Sequence, residues 1–376
     1  MTPAECSGRE IARLCFSEPA IYAPAMPHHQ LIQETPSGLY CALGDFYVDP
    51  WRRTARAVIT HAHADHARFG SEKYLCSREG LRVLRSRLGP SATIETLEWG
   101  QSLRINGVTV SLHPAGHVLG SAQVRIEHQG QVCVISGDYK TEPDPTCSAF
   151  EPVPCHTFVT ESTFGLPVYR WPPAAEVFGS INDWWIRCRD EGRAAVMFAY
   201  SLGKAQRVIA GVNPGIGPIF CHAAVEDLNR EYRASGIELP PTLLVSQAPA
   251  RKSWAGVLVV APPGAAESTW MSRFSGCSRG SASGWMLTRA TRRWQSVDRG
   301  FPLSDHADWP GLLWAIRETA AEEILVTHGH TEPLVQYLRE LGLTARSIAT
   351  RFSAEQSEQT NDQETQPTDN PGSPSN

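Results

Sequence analysis

The chain has 376 residues, 41% hydrophobic and 19% charged, with a formal net charge of −5, enough to bury one large core or two ordinary ones. No apolar run nears the roughly 18 residues that span a bilayer, and the first 30 residues lack the basic and apolar regions of a secretory signal. A membrane protein and a secreted module are therefore excluded as expectations, and the expected compartment is the cytoplasm. The charge is local. Residues 353–376 carry five acids (Glu355, Glu358, Asp362, Glu364, Asp369) and no Lys or Arg, which leaves 34 bases against 34 acids in residues 1–352. That tail has no aromatics and is rich in Gln, Ser, Pro and Asn, so it is expected to be a disordered acidic tail. The body is electrically balanced, and a polyanionic substrate stays open to it. Ten cysteines are scattered without a CxxC pair, which reads as reduced thiols filling cores.

Residues 1–30 read as a poorly ordered extension. Short β-branched runs broken by Gly and Pro then predict strands at GLYCALG (38–44), FYVDP (46–50) and AVIT (57–60). A helix is expected over 77–88, and strands again at GVTVSLHPAG, AQVRIEH and QVCVISGD, each ending in a polar cluster that holds His or Asp. From Tyr169 helices and strands alternate through VFGSINDWWIRCRDEG, AAVMFAYS, GKAQRVIAGV, GPIFCHA, EDLNREYRASG and AGVLVVAPP, the pattern of a second α/β unit. After Gly300 two further motif-bearing segments follow, LSDHADWPGLLWAIRETA and ILVTHGHTEPLVQYLRELG.

The strongest chemical signal is His61-Ala-His63-Ala-Asp65-His66, directly after the apolar strand AVIT. In extended chain His61 and His63 share a face and can converge on one ion. The turn that follows can aim Asp65 and His66 at a neighbouring point. Imidazole nitrogen with carboxylate oxygen suits zinc, and also manganese or iron. A lone histidine on a strand is usually structural; four ligand-type residues within six positions are not.

HAHADH resembles the HxHxDH signature of the metallo-β-lactamase superfamily. The resemblance implies an α/β fold, the metallo-β-lactamase αββα sandwich. In it His61, His63 and His117 (in PAGHVLGSA) hold one divalent ion, Asp65 and His66 the other, and Asp138 (in SGDY) bridges both. Asp49, in FYVDP, resembles the acid that supports the site without binding metal; Asp45 is a weaker candidate for that place. His113 is read as structural. Two ions, expected to be zinc with manganese as the alternative and roughly 3.5–4 Å apart, suit in-line displacement at phosphorus by an activated hydroxide.

Three later motifs narrow the branch. Glu161 in TESTFG, His306 in LSDHAD and His328 in VTHGH resemble motifs of the β-CASP nucleases. There the last histidine completes the second metal site and the middle one acts as general acid, oriented by the glutamate. Asp65, Asp138, Glu161 and His306 are thus the residues implied to take part in the reaction, with His328 as a metal ligand. His330 is not read as a ligand. Over residues 38–351 the motif set is similar to that of bacterial DNA-ligase-associated exonucleases. This implies a DNA nuclease, and an exonuclease in particular, working in repair beside a DNA ligase and a helicase. An RNA nuclease is the alternative, and a lactam or thioester hydrolase is less favoured because it leaves Glu161 and His306 without a purpose.

A nuclease needs cations along its substrate groove. Residues 270–300 hold six arginines (Arg273, Arg279, Arg289, Arg292, Arg293, Arg299) against the single acid Asp298. Trp285 and Trp294 interleave with them as stacking platforms. The stretch SGCSRGSASGW reads as a loop whose N–H groups approach phosphate, and Lys204 opens a helix where an anion is favoured. The expected organisation is an extension (1–30), the lactamase unit (31–168), an inserted β-CASP-like α/β unit (169–300), a return segment (301–352) and the acidic tail (353–376).

Overall fold

Alternation along the strands sets the layers. In β10 (Gln131–Ile135) and β11 (Thr157–Ser162), Cys133, Ile135 and Val159 face one core while Val132, Val134 and Phe158 face another, as a period of two requires of strands buried on both faces. The computed structural model describes residues 31–249, 253–288 and 297–350. The expected extension and acidic tail, together with Arg289, Arg292, Arg293 and Trp294, lie outside the described residues.

Among the described residues the chain forms a mixed α/β structure of three sheets. The first runs in sequence order through β1 (Gln33–Thr35), β2 (Gly38–Cys41), β3 (Phe46–Val48), β4 (Arg56–Val58), β5 (Lys73–Ser77) and β6 (Ile94–Leu97), parallel from β3 onward. The second contains β7 (Ser102–Ile105), β8 (Val108–Pro114), β9 (Ala122–His128), β10 and β11. It is completed by β18 (Glu323–Gly329) and β19 (Thr344–Ser347) in the order β19-β18-β11-β10-β9-β8-β7. Its β9–β10 hairpin closes through Gln129 and Gly130, both at positive φ (50° and 83°), the two-residue turn that suits strand twist.

These two sheets share one core. Phe46, Val48, Val58 and Leu75 of the first pack with Val110, Leu112, Val124 and Leu325 of the second. On the outer face of the first sheet lies α1 (Leu81–Leu88), through Val83, Leu84 and Leu88. On the outer face of the second lie α5 (Trp309–Glu318) and α6 (Thr331–Glu340), through Leu312, Ala315, Leu334 and Leu338.

The third sheet is parallel throughout and comes from the chain between β11 and β18. Its order is β14 (Thr242–Leu244), β13 (Ile219–Cys221), β15 (Leu258–Ala261), β12 (Ala195–Phe198), β16 (Ser278–Ala282) and β17 (Arg299–Phe301). One face carries α2 (Ala174–Asp190), α3 (Lys204–Gly211) and α4 (Ala223–Ala234), which bury Trp184, Trp185, Val208, Ile209 and Val225 against it. The other face is covered by short 3-10 turns through Val245, Met271 and Phe274.

Three sequence expectations change. The helix expected over 77–88 is shorter, because Ser77 ends β5 and α1 starts at Leu81. Strands β1, β5, β6, β7, β14, β17 and β19 were not anticipated; all but β5 lie at a sheet edge, and β1, β6 and β7 are part-exposed and carry polar residues instead of an apolar run. The Gly/Ser-rich stretch is not a free loop: Ser278–Ala282 is a strand between β12 and β17, so its backbone groups serve the ladder. No helix of the described residues is long and apolar enough to cross a membrane. The described cysteines are all free, and Cys41, Cys76, Cys133, Cys155, Cys188 and Cys221 are buried.

Leu112 is fully buried between the first two sheets. Leu112→Ala is expected to cost about 2–5 kcal/mol in urea unfolding; a loss below about 1 kcal/mol would show that the sheets do not share a tight core.

Candidate metal centre

Most of the site residues follow the carboxyl ends of parallel strands, where strand-to-loop turns free side chains from the ladder. His61 follows β4, Asp138 follows β10, Glu161 lies near the end of β11 and His328 near the end of β18. The two sheets approach closely here. A Cβ on Gly137 would stand 2.6 Å from the Thr60 side chain, and Gly137 sits at φ +56°, so only glycine brings the Asp138 turn this near.

Asp49 holds the first motif together. Its Oδ1 accepts from the Thr60 N–H (2.8 Å), and its Oδ2 accepts from the Thr60 hydroxyl (2.6 Å) and from His66 Nδ1 (2.7 Å). Asp49 itself sits at φ +45°, a left-handed conformation that costs a non-glycine residue on the order of 1 kcal/mol. Asp45 instead lies at the surface, where its Oδ1 accepts from the Tyr40 hydroxyl at 2.9 Å.

His61, His63, His117 and Asp138 bring one ligand atom each to within 4.8 Å of one another. His61 Nε2 and His117 Nε2 each lie 3.1 Å from His63 Nδ1. The far nitrogens decide the tautomers. His117 Nδ1 donates to the Asp305 carbonyl (2.8 Å), and His63 Nε2 to the Leu202 carbonyl (3.2 Å). The Thr60 hydroxyl gives its hydrogen to Asp49, so at 3.1 Å it accepts from His61 Nδ1. Burial, the largest influence, lowers His63 and His117 to about 4 and lowers His61 well below the usual imidazole range. Neutral rings with their hydrogens turned outward present three lone pairs to one point. That donor set fits a divalent cation.

A second cluster adjoins it. His66 Nε2 lies 3.5 Å from Asp138 Oδ2 and 3.6 Å from Asp65 Oδ2, and His328 Nε2 lies 3.0 Å from Asp138 Oδ1. Burial opposes charge on His66, but Asp138, Asp65 and Asp49 outweigh it and raise its pKa well above the ordinary value. Burial likewise opposes ionisation of Asp138, and His66 and His328 hold its carboxyl well below the usual range. The carboxylates therefore draw positive charge to this point too. Asp138 touches both clusters, with His61 Nε2 at 3.6 Å.

Beside the cations' place, His306 Nδ1 lies 2.9 Å and 3.1 Å from the two Glu161 oxygens, and the Tyr139 N–H donates to Glu161 at 2.7 Å. The His306 ring lies 4.6 Å from that of His117. Burial would lower His306, yet the Glu161 carboxylate and its hydrogen bond outweigh that and raise it to about 10.

Other expected residues stand apart. His113 pairs with the Ser111 hydroxyl at 3.1 Å, and His330 packs against Tyr169 and Trp285, with ring centroids at 6.0 and 6.4 Å. Lys204 is not a surface anion contact: it is 1% exposed and its Nζ lies 3.0 Å from Asp305 Oδ1, because the start of α3 is packed against the metal-site histidines. Arg279 is half-buried on β16. Trp285 is half-buried against Phe164 (4.7 Å) in an aromatic group that reaches His306 through Phe164 (6.0 Å). Sequence reading missed the carbonyls of Leu202 and Asp305, since a main-chain acceptor leaves no residue-type signal. Asp305, an acid directly before His306, was visible but unassigned.

No family model matches the chain. A protein of Opitutus terrae named "Probable DNA ligase" is 31% identical over 313 residues, covering 83% of this chain and 30% of that protein. Endoribonuclease YSH1 of Candida glabrata is 30% identical, covering 31% of this chain and 15% of its own. YSH1 of Saccharomyces cerevisiae is 27% identical, covering 30% of this chain and 19% of its own. The chain thus spans less than a third of the length of these curated relatives. The crystal structure of a protein of unknown function from Enterococcus faecalis matches with a TM-score of 0.55 at 14% identity over 79% of each chain, a likeness of fold. The His/Asp cluster fits the metallo-β-lactamase superfamily.

Asp138→Ala is expected to remove most bound metal, measured by elemental analysis of the purified protein, while the circular dichroism spectrum is unchanged. Asp49→Asn is expected to weaken metal affinity by roughly 10- to 100-fold by loosening His66 and Thr60; an unchanged affinity would remove Asp49 from the site.

Proposed function

We propose that the chain is a two-metal nuclease with a metallo-β-lactamase αββα sandwich (31–168 and 301–352) and an inserted β-CASP-like α/β unit (169–300), hydrolysing DNA phosphodiesters, from an end in particular. The observation that carries the reading is the buried Glu161–His306 pair at 2.9 Å, set against the metal-binding cluster. A thioester hydrolase has no need of such a pair, because a thiolate departs without taking up a proton. A phosphodiester expels an alkoxide and needs a proton delivered to it.

The chain's own residues would act as follows. His61, His63 and His117 hold one ion, Asp65, His66 and His328 the other, and Asp138 lies between them. When bound, two divalent ions, zinc with manganese as the alternative, supply Lewis acidity at phosphorus and lower the pKa of the attacking water. His306 carries the proton for the leaving oxygen on the ring edge away from Glu161. Glu161 keeps the ring charged and oriented, and the Tyr139 N–H keeps Glu161 in place. The Trp171 Nε1–H donates to the His306 carbonyl at 2.9 Å and steadies its backbone.

DNA is favoured by the similarity to the Opitutus terrae protein, which covers most of this chain; the same name supports work beside a DNA ligase. The helicase partner and the repair setting rest on the motif resemblance. Arg279 and Trp285 are the described residues proposed to meet the polynucleotide, with Arg289, Arg292 and Arg293 outside the described residues. RNA is the second reading, favoured by the shorter YSH1 matches.

Purified protein incubated with 5′- and 3′-end-labelled single- and double-stranded DNA and RNA, in zinc or manganese, is expected to release mononucleotides from DNA in preference to RNA. Cleavage of RNA alone would replace the first reading with the second, and the absence of phosphodiester cleavage under every condition would overturn both. His306→Ala is expected to lower turnover by about 10²–10⁴-fold with its metal content intact. Equal loss of both would mean that His306 is a ligand and not an acid.

A further inference from the structure

Two of the inward-facing histidines are oriented by main-chain carbonyls from distant parts of the chain. Leu202, just before α3, receives His63, and Asp305, just before His306, receives His117. Both carbonyls belong to one charged latch. Lys204, at the start of α3, reaches Asp305 Oδ1 at 3.0 Å, with side-chain exposures of 1% and 4%. One turn along, Arg207 donates to the Ser304 carbonyl and meets Asp144 Oδ2 at 2.9 Å. The loop before α3 is set by Gln206, whose Oε1 accepts from the Gly203 N–H (2.8 Å) and whose amide donates to the Ser201 carbonyl (3.0 Å). Gly203 lies at φ +88°, and a Cβ there would stand 2.3 Å from Val118 Cγ1. Consecutive residues 304 and 305 are therefore gripped by consecutive cations of a single helix.

The Asp305 carboxylate is itself a ligand-type group. It offers an oxygen within 4.8 Å of nitrogens of His117 and His306, yet its Oδ1 is turned to Lys204.

We propose that the Lys204–Asp305 ion pair is a positioning pair for the metal centre. It holds the Asp305 carbonyl on His117 and keeps the Asp305 carboxylate out of the coordination sphere. Through it, α3 of the third-sheet unit sets the affinity of the His61/His63/His117 end. The proposal rests on the metal-centre reading above. A buried carboxylate deprived of its cation is left uncompensated, and the ligand-type groups within its reach here are His117 and His306.

The test is zinc titration of the apoproteins against a chromophoric chelator, with visible spectra of the cobalt-loaded forms, for the wild type, Lys204→Met, Asp305→Asn and the double variant. Lys204→Met is expected to weaken one of two zinc ions by roughly 10- to 100-fold and to change the cobalt d–d bands as a new carboxylate enters. Asp305→Asn keeps the carbonyl and the side-chain shape, so it is expected to weaken the same ion less and to leave the bands as in the wild type. The double variant is expected to return the bands to the wild-type form and to bind no worse than Lys204→Met, as coupled partners do. Lys204→Met with wild-type zinc affinity and wild-type bands would overturn the proposal. Should Lys204→Met not fold, Asp305→Asn decides: wild-type affinity there overturns the pair's role. A wild-type protein that binds no zinc at all would instead overturn the metal centre.

Discussion

The direction of a few imidazole hydrogens governs this structure. Each histidine of the first cluster gives its one ring hydrogen to an acceptor behind it: His61 to the Thr60 hydroxyl, His63 to the Leu202 carbonyl, His117 to the Asp305 carbonyl. The nitrogen that remains is bare and points inward. Lone pairs set 3.1 Å apart repel unless a cation lies among them, so an ion held here would relieve that repulsion. His66, committed to Asp49 through Nδ1, extends the rule to the second cluster, where it meets the carboxylates of Asp65 and Asp138.

The architecture follows from the need to fasten those acceptors. Asp49 ties the end of β3 to Thr60 and His66, and it holds a left-handed backbone to do so. Gly137 lets the Asp138 turn come against Thr60. The remaining acceptors come from outside the first two sheets' early strands: Leu202 from the loop before α3, Asp305 from the return of the chain to the second sheet. The third sheet is thus part of the metal-binding geometry. Its helix α3 grips residues 304 and 305 through Lys204 and Arg207, and His306 follows immediately.

This placement separates two kinds of proton. The ring hydrogens around the first cluster are structural and are held on neutral rings kept so by burial. The Glu161 carboxylate favours a proton on His306, and both groups are buried, Glu161 1% exposed and His306 7%. A carboxylate in such surroundings strengthens the imidazolium it faces. One fold therefore lowers the pKa of His61, His63 and His117 and raises that of His66 and His306 within a single wall of rings, and the difference lies in whether the far partner is neutral or carries a negative charge.

Much of this was legible in residue order. HAHADH after a strand announces a metal site because metal chemistry restricts residue type and spacing. Asp49, His117, Asp138, Glu161, His306 and His328 were picked out because the short motifs around them resemble those of the metallo-β-lactamase superfamily and its β-CASP branch. Most inner strands and the long helices were readable from the residue pattern, while the inner strands β5 and β16 were not, nor were edge strands such as β6 and β7, because half-exposed pairing leaves no apolar run. Lys204 was read as a nucleic-acid contact at a helix start, and only packing turned it inward to Asp305. The sequence by itself determined which side chains are proposed to carry the chemistry, since ligation and proton transfer demand particular functional groups. Tertiary structure alone decided which nitrogen of each histidine faces inward, because that depends on backbone carbonyls, which every residue possesses and no residue type advertises.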